Sequence, residues 1–145
     1  MKDIQNIETD LTADVEILDP RTTEGMGAYF VLAGPNHPVR QEFELARDRK
    51  MRLEIKKKGR IDLGDPEEDR RQEVEYLARC TLGWYSVDKE TGERKEFIVL
   101  GGKEVAYSIT AAKEIYNDPK RVWLKSQIRR DLKEDEVFLK GSSVN

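Results

Sequence analysis

The 145-residue chain sets 26 Lys and Arg against 29 Asp and Glu, for a formal charge of −3, with 37% hydrophobic residues, one His and one Cys. That length suffices for one domain, and the polar balance allows only a modest core under long solvated helix faces. A lone cysteine excludes an intrachain disulfide. No apolar run approaches the ~20 residues that span a bilayer. Met1 leads into acidic residues rather than a signal sequence, so a soluble cytosolic protein is expected.

In chain order, residues 1–13 read as a flexible acidic arm, 14–140 as a single domain and 141–145 as a frayed tail. Val15 and Ile17 alternate with polar residues over Asp14–Asp19, and Ala28–Ala33 is a β-prone apolar run. Together they predict a hairpin, which must pack on a helix or join a partner's sheet to be stable. Pro38 then suits the first turn of a helix through Arg40–Lys58, whose amphipathic pattern weakens toward its basic end. Gly59 and Gly64 bracket a connector.

The clearest helix signal follows. Asp65 can cap it, Pro66 fits its first position, and Glu67, Glu68 and Asp69 suit the positive end of the dipole. Val74, Leu77, Ala78 and Thr81 continue on one face, Gly83 can end the helix in a left-handed conformation, and Trp84 can fold back onto it. Ser86–Asp88 and Glu96–Leu100 pair as a small hairpin or form a mobile loop, and Gly101-Gly102 reads as flexible. Ser108 or Thr110 can cap a short helix over Ala111–Tyr116. Asp118-Pro119 opens another, with Leu124, Ile128 and Leu132 on one face. The expected fold class is therefore mainly α with a small N-terminal β-hairpin.

Catalytic patterns are weak throughout. His37 and Cys80 could form a base–nucleophile pair, but Cys80 sits at an ordinary packing position in a helix and His37 beside a helix start. Two candidate ligands are too few for zinc, and no acidic cluster has EF-hand spacing. Gly25-Met26-Gly27 lacks the third glycine of a dinucleotide loop, and Gly101-Gly102-Lys103 has Phe97 where a P-loop needs its first glycine. No catalytic residue, cofactor or metal is expected.

Charge is segregated: residues 1–19 hold six acids and one Lys, and Arg47–Arg60 holds eight basic residues against two acids. The basic run lacks interleaved aromatics and a helix-turn-helix context, which favours a solvated face or a contact for an acidic protein over nucleic acid. Trp84, Tyr85, Tyr116 and Trp123 either fill a core or anchor a partner.

The order of these pieces carries a resemblance. Leu82-Gly83-Trp84 follows an amphipathic helix, and a polar loop comes next. A capped short helix ends in Ile115-Tyr116-Asn117-Asp118-Pro119, and Trp123 stands four residues after that proline with Gln127 and Ile128 behind it. Over roughly residues 14–132 this resembles the tail assembly chaperones of long-tailed, siphovirus-type bacteriophages and prophages. The loop Lys89–Glu96 is longer and more charged than the family pattern. The resemblance implies a non-enzymatic, partly helical protein that binds the tape measure protein and/or tail tube subunits during tail morphogenesis. It implies action in the host cytoplasm and absence from the mature virion. Many such proteins also have a frameshifted longer form; no such extension is expected in this chain. The candidate protein-binding residues are Trp84, Tyr116 and Trp123, with Lys56, Lys57 and Lys58 contributing charge; Ala28–Ala33 is the candidate strand to lend or accept. Self-association stays open, and no membrane is involved. The alternatives are a small nucleic-acid-binding regulator using Arg47–Arg60 and a minor virion tail-completion protein.

Overall fold

The computed structural model describes residues 8–58 and 65–139. Its elements run β1 (Thr12–Leu18), β2 (Gly25–Ala33), α1 (Pro38–Lys58), α2 (Pro66–Cys80), β3 (Thr81–Val87), β4 (Arg94–Lys95), β5 (Ile98–Leu100), β6 (Lys103–Val105), α3 (Ile109–Asn117) and α4 (Val122–Lys133). Short 3₁₀ turns flank α4 at Pro119–Arg121 and Asp135–Phe138. Strands β1 to β4 form one antiparallel sheet in the order β1-β2-β3-β4, and β5 pairs with β6.

The expected small hairpin is therefore a correction: the fold is α+β, with a four-stranded sheet and a second hairpin. The reason lies at Thr81. The α2 helix ends there in extended backbone, with the Thr81 N–H returned to the last-turn carbonyls, and the chain enters β3 without a loop. Residues 81–84 are expected from the sequence as helix end, glycine cap and folded-back tryptophan. Instead Gly83 lies opposite Val31 and Trp84 opposite Phe30 in the sheet. The segment is aromatic and nearly free of charge, so it satisfies the pleated surface better than a helix terminus does.

Other local signals hold. Asp65 accepts the Glu67 N–H at 3.0 Å, Ser108 accepts that of Ala111 at 3.0 Å, and Asp118 that of Lys120 at 2.9 Å. The anticipated pairing of Ser86–Asp88 with Glu96–Leu100 is not formed: Ser86 and Val87 pair with Lys95 and Arg94, and residues 98–100 pair with β6. Gly101 and Gly102 form the two-residue turn between β5 and β6, both at positive φ (56° and 77°), which glycine adopts at no steric cost.

One sheet face carries the core. Val15, Ile17, Phe30, Leu32 and Trp84 meet Leu77 and Ala78 of α2, Ile115 and Tyr116 of α3, and Leu124 and Ile128 of α4. Each large apolar side chain buried there contributes about 1.5–3 kcal/mol. Part of the expected arm, from residue 8 on, is described. The Asp10 N–H donates to the Phe138 carbonyl at 2.7 Å and Thr9 bridges Leu139, so this stretch is held between the C-terminal turn and β1. Residues 1–7, the connector glycines and the tail 141–145 lie outside the described residues. Ala28–Ala33 was the candidate strand for addition to a partner; it occupies β2, paired on both sides, so it has no edge to offer.

Candidate partner-binding groove

Trp123 is the second residue of α4, aimed by the Asp118-Pro119 start one turn earlier. Asp118 also pairs with Arg121, which fixes the approach to the helix. Leu124, Ile128 and Leu132 bury the opposite side of α4, leaving Trp123 half-buried against the core edge. A groove of about 580 Å³ opens beside it, between α4, the sheet and the β5–β6 hairpin. Met26 and Ala28, Phe97 and Val99, Leu100 and Trp123 supply its apolar wall. Met26 and Val99 are 52% and 60% exposed at this wall. Lys95, Arg121, Asp88 and Glu104 stand among the lining residues and give the groove charges of both signs. A second, smaller groove on the β1 side of Trp123 runs along Leu18, Pro20, Ser126 and Arg130.

Gln127 positions this end of α4. Its amide nitrogen donates to the Leu18 carbonyl at 2.6 Å and its amide oxygen accepts the Leu18 N–H at 3.0 Å, as a neighbouring strand would. The side chain thus ties the helix to the free edge of β1 and closes part of that edge to other strands. Sequence reasoning placed Gln127 beside Trp123 but could not see this contact, because Leu18 lies 109 positions away.

The other expected contact residues are elsewhere. Trp84 is 3% exposed; its ring packs 5.2 Å from Phe30 and edge-on to Tyr107, and its indole N–H donates to the Val105 carbonyl at 2.9 Å. Tyr116 is 2% exposed and bonded to Thr81 at 2.6 Å. Of the two roles left open for them, both take up the core position in the described fold. Lys56 and Lys57 are exposed on the distal part of α1, which contributes no residue to the Trp123 groove; the Lys58 side chain lies outside the described atoms. That part of α1 also exposes Met51 and Ile55 on one side and Leu53 on the opposite one, which explains the weakening amphipathic pattern.

The outer sheet face is polar and aromatic. Tyr85 stacks on Tyr29 at 5.2 Å, lies under the Arg94 guanidinium at 3.8 Å, and donates to Asp14 at 2.6 Å. Burial, and then the Asp14 carboxylate, hold the Tyr85 proton on well above the ordinary phenol range. Cys80 is buried, and burial pushes its thiol up to about 11, which removes the thiolate a nucleophile needs. The His37 Nδ1 accepts the Val39 N–H at 3.1 Å, a helix-start contact. Among the described residues no group of three or more His, Cys, Asp or Glu side chains is placed to hold a metal, and no helix is long and apolar enough to cross a membrane.

Comparison with known protein families, with curated proteins and with solved structures returned no match for this chain.

Proposed function

We propose that this chain is a non-enzymatic binding protein of phage tail assembly, a chaperone that holds the tape measure protein and/or tail tube subunits in the host cytoplasm and leaves before the virion is complete. The observation that carries the reading is the Trp123 groove: an apolar trough with Met26 and Val99 exposed at its wall and charges of both signs about it. Such a surface suits reversible cover of an apolar helix better than it suits chemistry, because its charged surroundings keep the free protein soluble. The run from Trp84 to Ile128 that resembles the chaperone family supports the same reading, with Trp123 as the contact residue and Trp84 and Tyr116 as its scaffold.

Co-expression with the tape measure and tail tube proteins encoded beside it, followed by affinity capture at moderate salt, tests the proposal. Soluble tape measure protein should be recovered only with this chain present. Trp123→Ala should weaken capture by more than about fivefold, the equivalent of ~1 kcal/mol. If neither tail protein is captured and the tape measure stays insoluble, the reading fails. The exposed cations of α1 favour one alternative, nucleic-acid binding, which steeply salt-dependent retention of duplex DNA would support.

A further inference from the structure

A third cleft, of about 600 Å³, lies between α1, α2 and the C-terminal end of α4, at the other end of that helix from Trp123. Its size falls within the range of small-ligand sites. Phe43 and Tyr76, with ring centroids 4.9 Å apart, form its apolar seat with Leu77 and Leu132. Arg40, Arg47, Arg129 and Lys133 line it as cations. Of its acids, Glu73 is engaged by Arg129 and Lys125; Glu44 and Asp69 complete the set.

Arg40 is the buried cation of this cleft. It is 8% exposed, and no ion pair among the described residues includes it. Its Nη1 donates to the Ala33 carbonyl at a long 3.3 Å, the Tyr76 hydroxyl lies beside it, and its guanidinium carbon is 5.8 Å from the Phe138 ring centroid. Its buried Nε has no hydrogen-bond partner, and neither has the buried Nε of Arg129 or the buried Oε1 of Glu73 across the same cleft. A guanidinium cannot shed its charge when buried, so an unpaired one is costly unless a counter-charge arrives from outside.

We propose that this cleft binds an organic oxyanion, a carboxylate or phosphate carried on an apolar body, with Arg40 as the charge partner and the Phe43–Tyr76 pair seating the apolar part. Arg47 and Lys133 add positive charge around the ligand. The anion has two possible sources, a free small molecule or an Asp or Glu side chain in a bound peptide segment, and both present the same group to Arg40. This inference is independent of the tail-assembly reading, since it uses none of the residues of the Trp123 groove.

The test is a titration of the ¹⁵N-labelled full chain, following the arginine Nε–H resonances and the Tyr76 ring. The Arg40 resonance is assigned by its loss in Arg40→Met. The probes are 3-phenylpropionate, phenyl phosphate, acetyl-Phe-Glu-amide, and inorganic phosphate as an anion without an apolar body. Saturable shifts at Arg40 and Tyr76 are expected for at least one phenyl-bearing anion, at least fivefold tighter than for inorganic phosphate, with the Tyr76 shift abolished in Arg40→Met. Tighter binding of the peptide would identify a partner side chain as the source, and tighter binding of the free acids a small molecule; both uphold the site. Absence of saturable shifts with every probe overturns it, as does equal affinity for inorganic phosphate or an unchanged Tyr76 response in Arg40→Met. Should that variant fail to fold, Arg40→Lys supplies the assignment and the comparison, and an unchanged Tyr76 response with no saturable shift in the wild type overturns the site.

Discussion

Thr81 and Tyr116 form a buried polar contact whose proton arrangement can be deduced and tested. Both side chains are buried, and the Thr81 hydroxyl lies 2.8 Å from the Leu77 carbonyl and 2.6 Å from the Tyr116 hydroxyl. A carbonyl only accepts, so the threonine proton goes to Leu77 and the tyrosine must donate to Thr81. Tyr116→Phe then removes one hydrogen bond, leaves no orphaned donor and opens little space, so it should cost about 1 kcal/mol. Thr81→Val keeps the shape but strands the Tyr116 hydroxyl as a buried donor, so its cost should be about 2–3 kcal/mol. The two effects are coupled in sign. In the Thr81→Val background, Tyr116→Phe removes the stranded group and should restore about 1 kcal/mol. Urea unfolding of the four proteins, compared at equal m-values, measures the cycle. If Tyr116→Phe costs the same in both backgrounds, the two hydroxyls are not coupled and the contact does not hold the α2–β3 junction as described.

Three further outcomes are expected. A Cβ on Gly34 would sit 2.5 Å from the Asp10 carbonyl oxygen, whereas one on Gly83 would meet nothing within 4 Å. Gly34→Ala should therefore destabilise by more than about 2 kcal/mol and Gly83→Ala by less than about 0.5 kcal/mol in thermal or urea unfolding; similar values for the pair would contradict the packing of residues 10–11 against Gly34. With its thiol pushed up to about 11 by burial, Cys80 should resist alkylation at pH 8 in the native protein and react fully in denaturant; comparable native and denatured rates would place it at the surface. Burial holds the Tyr116 proton on, and burial with Asp14 does so for Tyr85, so both folded groups titrate above the unfolded value near 10. Above that pH the folded state binds more protons than the unfolded one, so this contribution is complete below about pH 10 and is lost as pH rises further. Unfolding midpoints between pH 8 and 11 should fall, and should fall less in Tyr85→Phe with Tyr116→Phe; an unchanged slope in that variant would assign the loss to other groups.

Local chemistry was legible residue by residue. Asp65-Pro66, Ser108 and Asp118-Pro119 each cap where their side chains allow, because a cap needs only the next two or three residues. Leu124, Ile128 and Leu132 are buried together because helical spacing alone puts them on one face. The first hairpin was legible for the same reason, its alternation being local.

What the sequence by itself determined is thus the set of helix starts, the first strand pair and the α4 core stripe, together with the charge segregation that leaves the distal α1 cations in solvent. What only the tertiary structure decided is everything that depends on a distant partner. Residues 81–87 are strand because β2 offers them a paired edge, while the same Gly83 in isolation suits a helix end. Trp84 and Tyr116 are core and Trp123 stands at a groove, although all three are aromatics near helix termini, because burial is settled by which neighbours the sheet and helices bring together. Gln127 meets Leu18, and the Arg40 Nε comes to lie buried without a hydrogen-bond partner, for the same reason. Propensity and capping act over a few residues, whereas desolvation depends on all the atoms that surround a side chain, and those come from elements far apart in the chain.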